Sequence, residues 1–201
     1  MRSTEEIRER YERVRKSVGP DVTVVAATKY VSLEEMAALV EAGIEVLGEN
    51  RAQSLAAKHA HYGAAFRWHF IGHLQSRKAP LVSELCELCH SLASESAARQ
   101  LSVPALVEVN LAGEETKSGI APERLEDFLG FCAQVGVDVR GLMTMPPLSA
   151  DPEDSRPYFR RLRELAESFA LVQLSMGTSQ DYRVAADEGA TYVRVGSVLW
   201  S

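Results

Sequence analysis

The chain has 201 residues, 46% of them hydrophobic and 25% charged, enough to bury a sizeable core and unlike a disordered or low-complexity chain. Its 22 Lys and Arg against 28 Asp and Glu give a net charge of −6 with no basic block, which argues against a nucleic-acid surface. No apolar stretch nears the roughly 18 residues of a membrane span, and the charged start is no signal peptide, so the expected location is the cytosol.

In chain order, residues 3–17 read as an amphipathic helix, and the first apolar run, 22–28, ends at Lys29. Ser32-Leu-Glu-Glu35 is a capping-box signature that opens a helix carrying Met36, Leu39 and Val40 at helical spacing. Further strand-length runs fall at 46–49, 68–72, 88–93, 104–110, 139–145, 171–175 and 192–199. Most are continuous rather than alternating, as parallel strands buried on both faces require. Helices are predicted over 51–59, 123–134 and 157–168, with a short one starting at Ser179 and ending near Gly189. The longer loops, 111–121 and 146–156, are expected to form a rim.

Eight strands interleaved with helices on a chain without a linker predict one domain, 1–201, folded as an α/β (β/α)8 TIM-type barrel. The extra N-terminal helix would cover part of the ring that a final helix normally covers. An open doubly wound sheet is the alternative, weakened because no Gly-x-Gly-x-x-Gly follows the first strand.

Three cysteines make no disulfide scaffold. Cys86-Glu-Leu-Cys89-His90 matches the string for covalent haem attachment, but that chemistry belongs to exported proteins, and buried thiols are the expectation. His69 and His73 do not converge like a helical metal pair, so no metal is expected.

In a barrel the reactive groups gather at the C-terminal ends of the strands. Here those ends carry Lys29, Glu49-Asn50, His69 to Gln75, Ser94, Asn110, Met143 to Met145, Ser175 to Ser179 and Arg194 to Ser197. The last two segments follow strands seven and eight, the usual phosphate site of such barrels, and are rich in Gly and hydroxyl residues. A lysine near a phosphate anchor suggests a Schiff base with pyridoxal 5′-phosphate. An apolar mouth close to Arg194 would disfavour the ammonium form of that lysine. Alternation along strand eight puts Arg194 on the same face as Tyr192 and Gly196, where it could reach a pyridine nitrogen and keep it unprotonated.

Together the fragments Val24-Val-Ala-Ala-Thr-Lys29, Gly48-Glu-Asn-Arg51, Trp68-His-Phe-Ile-Gly-His-Leu-Gln75, Val109-Asn110, Lys117-Ser-Gly119, Gly141-Leu-Met-Thr-Met145, Leu174-Ser-Met-Gly-Thr-Ser-Gln-Asp181 and Val193-Arg-Val-Gly-Ser197 resemble the pyridoxal-phosphate homeostasis proteins, single-domain relatives of the alanine racemase barrel. The resemblance implies cofactor held covalently on Lys29, with Asn50 beside it and Arg194 at the pyridine nitrogen. It assigns Ser175, Gly177, Ser179, Gly196 and Ser197 to the phosphate; Thr178, read as cofactor-binding from the chemistry of its loop, stands where the family usually shows Met. His73 and Met143 would line the ring.

The resemblance further implies a monomeric carrier or regulator of the cofactor supply, with pyridoxal-phosphate-dependent apo-enzymes as partners. The alternative is an amino-acid racemase of low activity. A racemase needs acid/base groups on both faces of a planar carbanion. Of the six tyrosines only Tyr30 adjoins Lys29, and the racemases' tyrosine-bearing β-domain has no counterpart in this sequence.

Overall fold

The structure, a computed structural model, describes residues 3–114 and 118–200. Lys117 of the Lys117-Ser-Gly119 fragment and part of the 111–121 loop lie outside them. The strands are β1 (Thr23–Ala27), β2 (Val46–Glu49), β3 (Arg67–Phe70), β4 (Leu88–Leu92), β5 (Ala105–Glu108), β6 (Val139–Met143), β7 (Gln173–Ser175) and β8 (Tyr192–Val195). They pair in parallel in sequence order. The ladder between β1 and β8, with Thr23 opposite Tyr192 and Val25 opposite Arg194, closes the barrel and rules out the open sheet.

The helices are α1 (Thr4–Val18), α2 (Ala37–Glu41), α3 (Ala52–Tyr62), α4 (Ala79–Leu85), α5 (Glu95–Ala98), α6 (Leu125–Gln134), α7 (Arg156–Ser168), α8 (Tyr182–Asp187) and α9 (Ser197–Trp200). The Ser32–Glu35 capping box forms, leading through a 3₁₀ turn into α2. Helix α1 starts with a second box, between Ser3 and Glu6. It buries Ile7, Tyr11, Val14 and Val18 against the barrel, each worth about 1.5–3 kcal/mol. It packs beside α2, α8 and α9, the place in the outer ring expected of it.

Several boundaries differ from those expected, and two of them bear on the site. Strand eight ends at Val195 rather than 199, because the chain turns at Gly196 into α9. The helix expected from Ser179 starts at Tyr182, with Asp181 as its N-cap residue.

Strand alternation sorts the side chains into two apolar groups. Outward residues such as Leu47, Trp68, Phe70 and Leu174 join the helices in one core, while Leu88, Leu106 and Met143 pack separately with Tyr192 inside the barrel. Gly141 lets β6 approach β7, since a Cβ there would lie 1.8 Å from the Gln173 carbonyl oxygen.

Candidate functional site

Lys29 lies just past the end of β1, after Thr28, and stands on a buried polar base. Thr28 is fully buried and its hydroxyl donates to Glu49 Oε1 at 2.7 Å. Lys58, from α3, pairs with the same carboxylate oxygen and donates to the Thr28 carbonyl at 2.7 Å. The backbone N–H of Asn50 donates to Glu49 Oε2 at 3.2 Å. One buried ion pair thus fixes the backbone that presents Lys29 and Asn50. The apolar burial expected around Lys29 is not found: the side chain is exposed, its Nζ 4.8 Å from the centre of the Tyr30 ring. The reason is that Lys29 has left the strand and sits in a turn at the rim. Hydrogen bonding and charge from Lys29 draw the Tyr30 hydroxyl below its usual pKa.

Beside it, the end of β8 offers an anion nest. The backbone N–H groups of Gly196 and Val198 both donate to Ser179 Oγ, at 2.9 and 3.3 Å. Two backbone donors converging on one oxygen could serve an anion in the same way. Helix α9 is tied back over β1 by Trp200 Nε1, which donates to the Ala27 carbonyl at 3.1 Å. Gly177 is required where it stands: its φ is +88°, and a Cβ would meet that of Ala185 at 2.5 Å.

Ser175 and Thr178, both assigned to phosphate from the sequence, stand elsewhere. Ser175 ends β7 on the inward face and is fully buried, its hydroxyl between Arg194 Nη1 at 2.5 Å and His90 Nδ1 at 2.7 Å. Thr178 gives both its N–H, at 2.6 Å, and its hydroxyl, at 3.0 Å, to Asp181 Oδ1. It lines a separate hollow under Pro146–Leu148. A carboxylate at the head of α8 already uses these donors, so the nest is built from Ser179, Gly196 and α9.

Arg194 is 6% exposed. Its Nη2 donates to the Thr144 carbonyl at 3.0 Å and to Met145 Sδ at 3.4 Å. Burial pushes its pKa down to about 10, opposed by the charges of Glu108 and Asp181, so the guanidinium stays charged at neutral pH.

Two cavities meet at the mouth. The rim cavity, about 500 Å³, is lined by Lys29, Tyr30, Asn50, Gly196, Ser197 and Trp200 among others. The mouth cavity, about 380 Å³, is lined by Asn50, His73, Glu108, Asn110, Met143 and Arg194 among others. Both fall in the size range of small-molecule sites. Asn50 lines both. His73 is exposed at the edge, while Met143 is buried in the floor. Among the described residues no three His, Cys, Asp or Glu side chains gather to hold a metal. Cys86, Cys89 and His90 do not form one site. Both thiols are buried and raised in pKa by it, Cys89 to about 11, whereas His90 points into the barrel toward Ser175.

Residues 3–201 match the alanine racemase N-terminal domain family. The pyridoxal phosphate homeostasis protein of Aquifex aeolicus is 40% identical over 194 residues, 88% of this chain and 85% of its own. That of Pseudomonas aeruginosa is 35% identical, over 92% of this chain and 87% of its own. The chain belongs to the pyridoxal phosphate homeostasis protein family. PipY of Synechococcus elongatus, solved without PLP, superposes on it with a TM-score of 0.88 at 32% identity, covering 97% of this chain and all of that one. The same protein with PLP bound gives 0.86 at 31% identity and the same coverage. An alanine racemase from Clostridium difficile, 12% identical with a TM-score of 0.78, shares the fold over 56% of its own length.

Within this homeostasis-protein barrel, several site residues carried no signal in the sequence. Lys58 sits mid-helix and reads as a solvated face, yet it is 6% exposed. Glu108 ends β5 at 8% exposure and accepts from the Ser118 hydroxyl at 2.7 Å. Interior parity along the strands would have marked Glu108 and His90.

Proposed function

We propose that this protein binds pyridoxal 5′-phosphate at the barrel mouth and holds it covalently through Lys29, as a carrier in cofactor homeostasis. The observation that carries the reading is the convergence of Lys29, Asn50, Gly196 and Ser197 on one cavity whose nest of backbone donors is filled by a serine oxygen. The residues fit the cofactor: an anion nest for a phosphate, a primary amine at the same cavity, and a charged guanidinium in the adjoining one. Family membership and the PLP-bound relative support it.

When bound, the cofactor would supply an aldehyde reactive toward a primary amine. Lys29 provides the amine from a turn held by Glu49 and Lys58. Ser179, Gly196, Ser197 and the start of α9 hold the phosphate, with Ser179 Oγ giving up its two N–H donors to the anion. Gly177 supplies the turn that aims Ser179. Asn50, His73 and Met143 would line the ring, and Arg194 would donate to the pyridine nitrogen. Because arginine keeps its proton, it leaves that nitrogen unprotonated and the ring a weak electron sink. An exposed Lys29 suits exchange with other amines. Holding without turnover is the reading this arrangement supports, with PLP-dependent apo-enzymes as recipients and a monomer as the working unit.

The test loads the protein with pyridoxal 5′-phosphate and offers it, in parallel, a PLP-dependent apo-enzyme and a panel of amino acids. Restored activity of the apo-enzyme, with less than one equivalent of altered amino acid, is expected. Many turnovers of racemised or decarboxylated product would overturn the carrier reading.

A further inference from the structure

Behind Arg194 the barrel interior holds a row of hydrogen-bonded side chains that no binding role explains. Arg194 Nη1 donates to Ser175 Oγ at 2.5 Å, Ser175 Oγ lies 2.7 Å from His90 Nδ1, and His90 Nε2 lies 2.9 Å from His69 Nδ1. All four residues are at most 6% exposed, and the Tyr192 ring packs edge-on against both imidazoles.

The chemistry of each group fixes the direction of the row. A guanidinium only donates, so Ser175 Oγ must accept from it. Arg194 and His90 are the two partners of the fully buried hydroxyl, and its proton therefore goes to His90 Nδ1. A neutral imidazole that accepts at one nitrogen donates from the other, so His90 donates to His69 Nδ1 and the His69 proton sits on Nε2. A protonated His90 would place a second cation beside Arg194 in a desolvated interior. Every donor in the row points away from Arg194, so each bond strengthens the acceptor before it.

Resting on the reading that Arg194 faces the cofactor ring, we propose that Ser175 is a positioning residue for Arg194, itself oriented by His90 and His69, and not a phosphate ligand. Ser175 and the Thr144 carbonyl hold the two terminal nitrogens of the guanidinium from β7 and from the end of β6. So held, Arg194 lines the mouth cavity.

A phosphate ligand and a ring-side positioning residue differ in which half of the cofactor they affect. The experiment titrates wild type, Ser175→Ala, Ser175→Thr and Ser179→Ala with pyridoxal 5′-phosphate and with pyridoxal, which lacks the phosphate, reading the visible absorbance. Thermal midpoints confirm folding. Ser175→Ala is expected to weaken both ligands by the same factor, about tenfold for one charge-assisted hydrogen bond. Ser175→Thr, which keeps the hydroxyl, should restore both. Ser179→Ala should weaken pyridoxal 5′-phosphate alone.

If Ser175→Ala weakened only the phosphorylated ligand, Ser175 would be a phosphate ligand and the proposal overturned. Unchanged affinity for both would overturn it too, since Arg194 would then need no such support. Should Ser175→Ala not fold, Ser175→Cys, with a thiol as the weaker hydrogen-bonding group, is read in the same way. Failure of the underlying reading looks different: Arg194→Ala would then leave the affinity for both ligands unchanged, or wild type would show no visible band with either.

Discussion

Histidines 69 and 90 are neutral for a physical reason that reaches beyond the site. Burial, with a contribution from Arg67, pushes His69 down to about 3. Burial first, then the neighbouring His69 and Arg194, drives His90 well below its ordinary value. Unfolded, both would take up protons near pH 6.5. Between that pH and the depressed folded values the unfolded chain binds more protons, so stability is full above about 6.5 and falls as the pH drops. The slope is about 1.4 kcal/mol per pH unit for each histidine. Denaturant unfolding from pH 7 to pH 5 should show this decline, and His69→Gln should reduce it; an equal decline in the variant would contradict the assignment. Lys58 makes a second residue-scale case. Removing its charge leaves Glu49 buried without a counter-ion, so Lys58→Met should cost about 3–5 kcal/mol in chemical denaturation. Neither effect is legible from residue type. His69, His90 and Lys58 look ordinary until strand parity and the packing of α3 against the barrel put them inside.

Elements show where sequence reasoning succeeds and where it stops. Capping boxes are local chemistry within four residues, and both Ser3–Glu6 and Ser32–Glu35 form. Strand ends are not local. The apolar run at 192–199 continues past the last barrel pair, and only the turn at Gly196 and the Trp200 bond to Ala27 make α9 of it. Likewise Asp181, not Ser179, heads α8, and its carboxylate ties that start to the Thr178 N–H and to the hydroxyls of Thr178 and Ser155. Helix α7 is bound to α8 by Arg156, Arg160 and Arg163, which all reach Glu188. Just past the C-cap residue of α7, Phe169, stands Ala170, a non-glycine residue at φ 55°. Glycine is the usual residue in this left-handed position after a helix. Ala170→Gly should therefore raise stability by about 0.5–1 kcal/mol, measured by denaturant midpoint; a loss of stability would show that the Ala170 backbone is not strained.

At the scale of the whole molecule, closure of the sheet does the work of assembly. It brings the end of β1, with Lys29, next to the end of β8, with Gly196 and Ser197, although about 165 residues separate them in sequence. Eight apolar runs with helices between them carried that much in the sequence. What they did not carry was the split of the mouth into two cavities joined at Asn50, or the exposure of Lys29 at the rim. The relatives' likeness over nearly the whole chain agrees with the barrel, and Lys29 is where the account is most exposed to disproof. Borohydride reduction of the protein loaded with pyridoxal 5′-phosphate, followed by peptide mass mapping, tests it directly. The account predicts one reduced cofactor adduct on the peptide containing Lys29, absent in Lys29→Ala. An adduct on another lysine, or an unchanged visible band in Lys29→Ala, would contradict it.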